Sequence, residues 1–158
     1  MIGTAVGTLT LALLVSSPAG LLKAEEKTKP MTIKRITTNL YAEEIEPCIQ
    51  FWERLGFEKV KDVPDGRKLA FAMLQKGNLE LMYGTYSSLS QDPDVAKAFH
   101  KGTTYLFVEV ENLDDVIPAT AGAEIVKSKH QTFYGSTEIS VKDPAGHIVT
   151  FAQFGAKP

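Results

Sequence analysis

The sequence predicts an α+β fold made of two tandem βαβββ modules, and three observations predict it. The chain repeats its own punctuation: Leu40-Tyr41-Ala42-Glu43-Glu44-Ile45-Glu46 matches Val108-Glu109-Val110-Glu111-Asn112-Leu113-Asp114. Further on, Leu55-Gly56-Phe57-Glu58-Lys59-Val60 matches Ala121-Gly122-Ala123-Glu124-Ile125-Val126, and the offset has fallen from 68 to 66 positions. The second helix must therefore be two residues shorter, and similarity at this period indicates two copies of one supersecondary unit. Within each copy, hydrophobic alternation gives way once to helical spacing and then returns, which sets the order β, α, β, β, β.

Module one spans residues 33–84. Ile36 to Ala42 alternates as a half-buried strand does. Glu46-Pro47 starts a helix, because the N–H that proline lacks has no partner in a first helical turn. Ile45, Cys48, Ile49 and Trp52 then fall on one face, and Gly56 stops the helix. Strands follow near Glu58–Val63, Leu69–Leu74 and Leu79–Tyr83, with turns at Asp65-Gly66 and Lys76-Gly77-Asn78. A connector, 85–102, carries a short helix near Asp94–Lys101. Module two, 103–155, has a strand at Tyr105–Val110 and a helix at Leu113–Ala121 that Pro118 should shorten or kink. Its last strands are Glu124–Lys127, Thr137–Lys142 and Ile148–Phe154. Asp143-Pro144-Ala145-Gly146 has the residue choice of a type I turn. Modules of this size are too small for separate cores, so they should stabilise each other.

The 158 residues carry 17 Lys+Arg against 19 Asp+Glu, with no cluster of basic residues. That balance excludes a nucleic-acid footprint. One cysteine, Cys48, excludes an internal disulfide and a multi-thiolate zinc site, and three histidines leave little material for a histidine-rich metal centre. Residues 1–30 stand apart as a signal-like leader and linker, ahead of a single domain over 31–156. Leu9 to Val15 is apolar and is followed by Ser16, Ser17, Pro18, Ala19 and Gly20, the layout of a secretory signal peptide. The run is too short for a comfortable permanent membrane span. The expectation is an exported, periplasmic protein; the alternative is a cytoplasmic one whose true start is Met31.

The βαβββ duplication, the helix end Phe51-Trp52-Glu53-Arg54-Leu55-Gly56-Phe57 and the turn Asp143-Pro144-Ala145-Gly146-His147 before the last strand form a set. Together they resemble the vicinal oxygen chelate (VOC) superfamily, which includes glyoxalase I, extradiol dioxygenases and bleomycin-resistance proteins. The resemblance covers roughly 33–155. It implies a glyoxalase/bleomycin-resistance-type curved sheet with a central cleft, often completed by dimerisation, hence a homodimer. In metal-using members, His, Glu or Gln residues on the first and last strands of each module hold the ion. Carried onto this chain, those positions are Thr37, Glu80, Tyr105 and Thr150. Threonine hydroxyls and a phenol of pKa about 10 are poor ligands for a divalent ion, so no metal and no other cofactor is expected.

Alternate strand residues share a face. Counting from these positions adds Asn39, Tyr41, Met82, Phe107, Ala152, Glu138 and Ser140 to the cleft wall. The opposite parity yields Ile36, Leu40, Leu79, Leu81, Leu106, Val108, Ile139, Val141 and Phe151, apolar as a helix-covered face should be. The candidate ligand-binding set is therefore Asn39, Tyr41, Glu80, Tyr105, Phe107, Glu138 and Thr150. Aromatic rings beside two carboxylates suit a small-molecule ligand that is aromatic or cationic. The alternative is that Glu80 and Glu138 are simply solvated. Cys48 and Trp52 read as core, His147 as a surface or turn residue, and His100 and His130 as solvated loop residues. Phe133-Tyr134-Gly135 reads as a lid or a packed loop.

Three functions remain. The first is non-enzymatic binding or sequestration, as the resemblance to metal-free bleomycin-resistance proteins implies. The second is a metal-dependent lyase or dioxygenase, in which Glu80 would join Glu138, His130 or His147 in a relocated site. The third is metal-free acid–base catalysis by Glu80 or Glu138, with a carboxyl pKa raised by the aromatic surroundings.

Overall fold

Alternation along the first strand buries Leu40 and Ala42 and leaves Asn39 in water, and that parity propagates through two sheets. The computed structural model describes residues 33–155; the leader and linker lie outside the described residues. From Arg35 onward the chain forms one compact unit. Its first sheet contains β1 (Thr38–Ala42), β2 (Glu58–Asp65), β3 (Lys68–Lys76) and β4 (Leu79–Thr85) in the order β1-β4-β3-β2. The second contains β5 (Tyr105–Glu109), β6 (Ile125–Gln131), β7 (Ser136–Lys142) and β8 (Ile148–Phe154) in the order β5-β8-β7-β6. In both, the first strand runs parallel to the last and the other pairs are antiparallel. These are the two predicted βαβββ units, and neither sheet closes into a barrel.

Helix α1 (Glu46–Arg54) carries Pro47 in its first turn, as its sequence predicts, and ends in a motif that glycine makes accessible. Gly56 sits at φ +88°. Its N–H donates to the Glu53 carbonyl at 2.9 Å and the Phe57 N–H to that of Trp52 at 3.1 Å, the two bonds of a Schellman cap. The Phe57 ring packs edge-on against Trp52, the apolar contact that accompanies such a cap. Helix α2 (Pro93–Ala98) lies in the connector, behind a 3₁₀ segment at Tyr86–Gln91. Helix α3 (Leu113–Ala119) is capped by the Asn112 side chain and stops one residue after Pro118, the predicted shortening. No helix among the described residues is long and apolar enough to cross a membrane.

The helix-covered faces of the two sheets share one core. Leu40, Leu74, Leu81 and Tyr83 join Ile49, Phe51 and Trp52 of α1, Leu113 and Val116 of α3, and Ile139, Val141, Val149 and Phe151 of the second sheet. Two residues of the predicted apolar face depart from it. Ile36 precedes the strand and is 87% exposed, and Leu79 is exposed because it opens β4 directly after a turn. Strand β6 runs four residues past its predicted end at Lys127. As a sheet edge with both faces mostly in water, it lacks the alternation that marks a half-buried strand.

Polar struts fix the two units together. Trp52 Nε1 donates to the Tyr83 hydroxyl at 2.9 Å, and that hydroxyl donates to Asp143, which also accepts from the Ala145 and His147 N–H groups. The Arg54 guanidinium donates to the Ala119 carbonyl across the ends of α1 and α3. His147, read as a surface or turn residue, directly follows the turn but is buried, 2% exposed. The Thr104 N–H donates to its Nδ1 at 3.1 Å, so Nδ1 is the acceptor and Nε2 carries the hydrogen directed at the Tyr41 carbonyl, 3.1 Å away. The turn before it is tight enough to fold the imidazole inward between the modules.

Candidate functional site

The core consumes one face of each sheet, so the chemistry stands on the other. On the first sheet, Glu80 lies at the end of β4 nearest the chain entry. Thr37 donates to its Oε1 at 2.8 Å, and the Arg35 guanidinium pairs with its Oε2. The Thr37 hydroxyl first, and then Arg35, hold the Glu80 carboxyl below the usual carboxylate range. Its side chain is 8% exposed, so this group is an engaged ion pair and not a solvated strand carboxylate.

Asn39 and Tyr41 lie further along β1, bonded to each other through amide and phenol. They line a groove of about 210 Å³ with Tyr86, Phe99 and His147. Gly84 makes this arrangement accessible: a β-carbon there would lie 2.9 Å from the Tyr41 ring. The ring packs against Tyr86 and, edge-on, against Phe99.

The second sheet carries a larger groove of about 530 Å³. Its floor includes Glu138 and Ser140 on β7, its walls include Tyr105, Lys127 and His130, and Phe133 and Tyr134 rise from the β6–β7 turn. Glu138 is 5% exposed. Its Oε1 accepts from the Tyr134 hydroxyl at 2.6 Å and from Ser136 at 2.7 Å. Burial works to raise its pKa, but these two donors, with His130 and Lys127 nearby, outweigh burial and hold it low. The same bond to Glu138, followed by burial, raises the Tyr134 phenol. A raised carboxyl pKa, the condition for a Glu138 general base, is therefore not what these neighbours produce.

Two further candidates on the second sheet, Thr150 and Phe107, do not line this groove. Thr150 is fully buried, and its hydroxyl is within 2.7 Å of Ser140, which separates it from the groove. Phe107 packs near Phe154 and remains about half exposed. The structure thus brings Tyr105 and Glu138 together, with Thr150 just beneath, and sets Asn39 with Tyr41. Glu80 stands apart with Arg35 and Thr37, and nothing described joins it to Glu138.

Sequence reasoning missed Lys127 and Ser136 as surroundings of Glu138, and it placed His130, a candidate partner of Glu138, in a solvated loop. His130 is part of β6 and pairs directly with Glu138. Counting back across the Phe133-Tyr134-Gly135 turn would have found it, had the strand been carried past Lys127.

A divalent ion at Thr37, Glu80, Tyr105 and Thr150 does not suit these residues. The one carboxylate is paired with a guanidinium, one hydroxyl is spent on Ser140, and Tyr105 belongs to the other sheet. No group of three His, Cys, Asp or Glu residues suited to a metal ion occurs among the described residues. No step through a metal is derived for these positions.

A family model described as Glyoxalase/Bleomycin resistance protein/Dioxygenase superfamily matches residues 32–151. No curated protein matches the chain significantly. Among solved structures, TioX from Micromonospora sp. ML1 is similar at 20% identity and a TM-score of 0.64, over 77% of this chain and 98% of that one. A bleomycin-binding protein complexed with bleomycin is similar at 20% identity and 0.53, over 78% and 100%. Lactoylglutathione lyase from Agrobacterium tumefaciens is similar at 19% and 0.60, over 79% and 95%. At these identities the likeness is one of fold.

Proposed function

The chain belongs to the glyoxalase/bleomycin resistance protein/dioxygenase superfamily, and from that premise we propose that it is a metal-free small-molecule-binding or sequestration protein. The observation that carries this reading is the second-sheet groove. Its size is that of a ligand site, its walls are aromatic, and its floor holds a buried, ionised carboxylate. Charge–charge attraction and hydrogen bonding are what such a carboxylate supplies. The bleomycin-binding neighbour, a family fold with a bound drug, supports the same use.

The protein acts as a homodimer in this reading. Tyr105, Phe107 and Phe154 leave apolar area in water on the open face of the second sheet, and Phe133 and Tyr134 expose more at its turn. A second copy would cover part of it. Export directed by residues 1–24 completes the proposal, with N-terminal sequencing of the secreted protein as its check.

The test of binding is a thermal-shift screen of flat aromatic compounds, charged and neutral, with elemental analysis of protein purified without chelator. A ligand at 100 times its dissociation constant adds about 2.7 kcal/mol. For a domain of this size that raises Tm by about 5–10 °C. Stoichiometric Ni, Zn, Fe or Mn, or a screen in which nothing shifts the transition, would overturn the reading.

A further inference from the structure

Within the second-sheet groove, the hydrogen-bond pattern leaves one acceptor on each of two paired residues. Both donors to Glu138, Tyr134 and Ser136, reach Oε1; Oε2 carries no hydrogen bond among the described residues. No buried polar side-chain atom among them lacks a partner, so Oε2 is open to the groove although its residue is 95% removed from solvent. Opposite it, His130 Nδ1 lies 3.0 Å from the Ser128 carbonyl. A carbonyl only accepts, so Nδ1 carries the hydrogen, and Nε2 is the ring nitrogen whose lone pair is presented when the imidazole is uncharged. His130 and Glu138 are direct cross-strand partners. Such residues share a face with β-carbons about 4.5–5.5 Å apart.

We infer that the groove recognises a planar group bearing two adjacent N–H donors, an amidinium, guanidinium or aminoheterocycle, joined to a flat apolar body. One N–H meets Glu138 Oε2 and the other His130 Nε2. The body lies toward Tyr105 and the Phe133–Tyr134 pair, whose rings meet edge-on at 5.0 Å. Phe133 is fully exposed and available to that contact. The Tyr134 bond to Glu138 holds the turn and the carboxylate in one arrangement, so the free oxygen is aimed before a ligand arrives. Lys127 lines the same groove and opposes a cationic ligand. This inference rests on the binding reading above and names its ligand class.

The experiment compares benzamidine, benzylamine and benzamide by calorimetry on the full protein. Benzamidine offers the planar two-donor fork, benzylamine a charge without it, and benzamide a flat shape with one donor edge replaced by an acceptor. Benzamidine is expected to bind at least tenfold more tightly than benzamide, since hydrogen bonds to a charged acceptor are the stronger kind. Glu138→Gln keeps an oxygen for Tyr134 and Ser136 but turns the free acceptor into a donor, and should abolish that preference. His130→Phe keeps a ring and removes the second acceptor, and should weaken benzamidine by about tenfold. Lys127→Ala should tighten benzamidine by about twofold to fivefold, a gain that damage to the fold would not give. If benzamide binds and benzamidine is no tighter, or if Glu138→Gln keeps the preference, the ligand class is wrong while the binding reading stands. If no aromatic compound binds at all, both fall.

Discussion

Replacing Tyr83 with phenylalanine tests whether one buried hydroxyl ties the two modules together. The Tyr83 side chain is fully buried, and its oxygen accepts from Trp52 Nε1 while donating to Asp143 Oδ2. Burial first, and then the Asp143 carboxylate, push its phenol far above the ordinary value, so it remains a donor wherever the protein is folded. Tyr83→Phe leaves the ring packing intact and removes only the oxygen. The Trp52 N–H then loses its acceptor inside the core, at about 1–3 kcal/mol, and Asp143 Oδ2 loses a charge-assisted bond worth about 1.5–3 kcal/mol. The two losses share one atom and do not add fully, so the expected destabilisation is about 3 kcal/mol. At about 2–4 °C per kcal/mol for a domain of this size, Tm falls by about 6–12 °C. Urea unfolding followed by fluorescence reads this well, because Trp52 is the chain's single tryptophan and sits in the strut itself. The curve should keep its slope and shift its midpoint. A loss below about 1 kcal/mol would refute the strut, and a double variant with Asp143→Asn should then show no coupling.

Two further predictions follow from titrating groups. Burial first, and then Asp143, push the Cys48 thiol up to about 12, so a thiol-specific disulfide reagent at pH 8 should label the native protein only as fast as it unfolds. Rapid stoichiometric labelling would show that the α1 face is open. Glu138 has a lowered pKa in the fold, so its stabilisation is fully present above the unfolded value of about 4.3 and is lost as pH falls through the folded value. Glu138→Gln should therefore flatten the acid limb of the stability curve below about pH 4.3, and an unchanged limb would contradict the bonds from Tyr134 and Ser136.

The architecture was readable because half-buried strands and one-sided helices print their environment on the sequence as alternation and stripe. Leu40, Ile139, Val141 and Phe151 lie where parity put them, and α3 ends one residue after Pro118, two residues short of Ala121. The misses have separate physical causes. Strand β6 faces water along most of its length, so nothing in Ser128-Lys129-His130-Gln131 distinguishes a strand from a loop. His147 was misplaced because its burial depends on Tyr41 and Thr104, which are remote in sequence and supply the polar partners that let an imidazole enter the interior. Arg35 was missed beside Glu80 because it lies before the strand, where parity assigns no direction.

The site illustrates the same division at the level of single atoms. Parity placed Glu138 in the groove, and its aromatic company suggested a raised pKa and a base. The reversal comes from where the donors sit. Tyr134 and Ser136 are four and two residues away, and both reach the same oxygen. One carboxylate oxygen is thereby saturated and the other left bare, which makes the group a weaker base and a directional acceptor. Proton transfer favours a pKa near the working pH, whereas recognition of a donor favours permanent charge and a fixed orientation. The second pair of conditions is the one these neighbours meet, and it is why a binding role is proposed for Glu138.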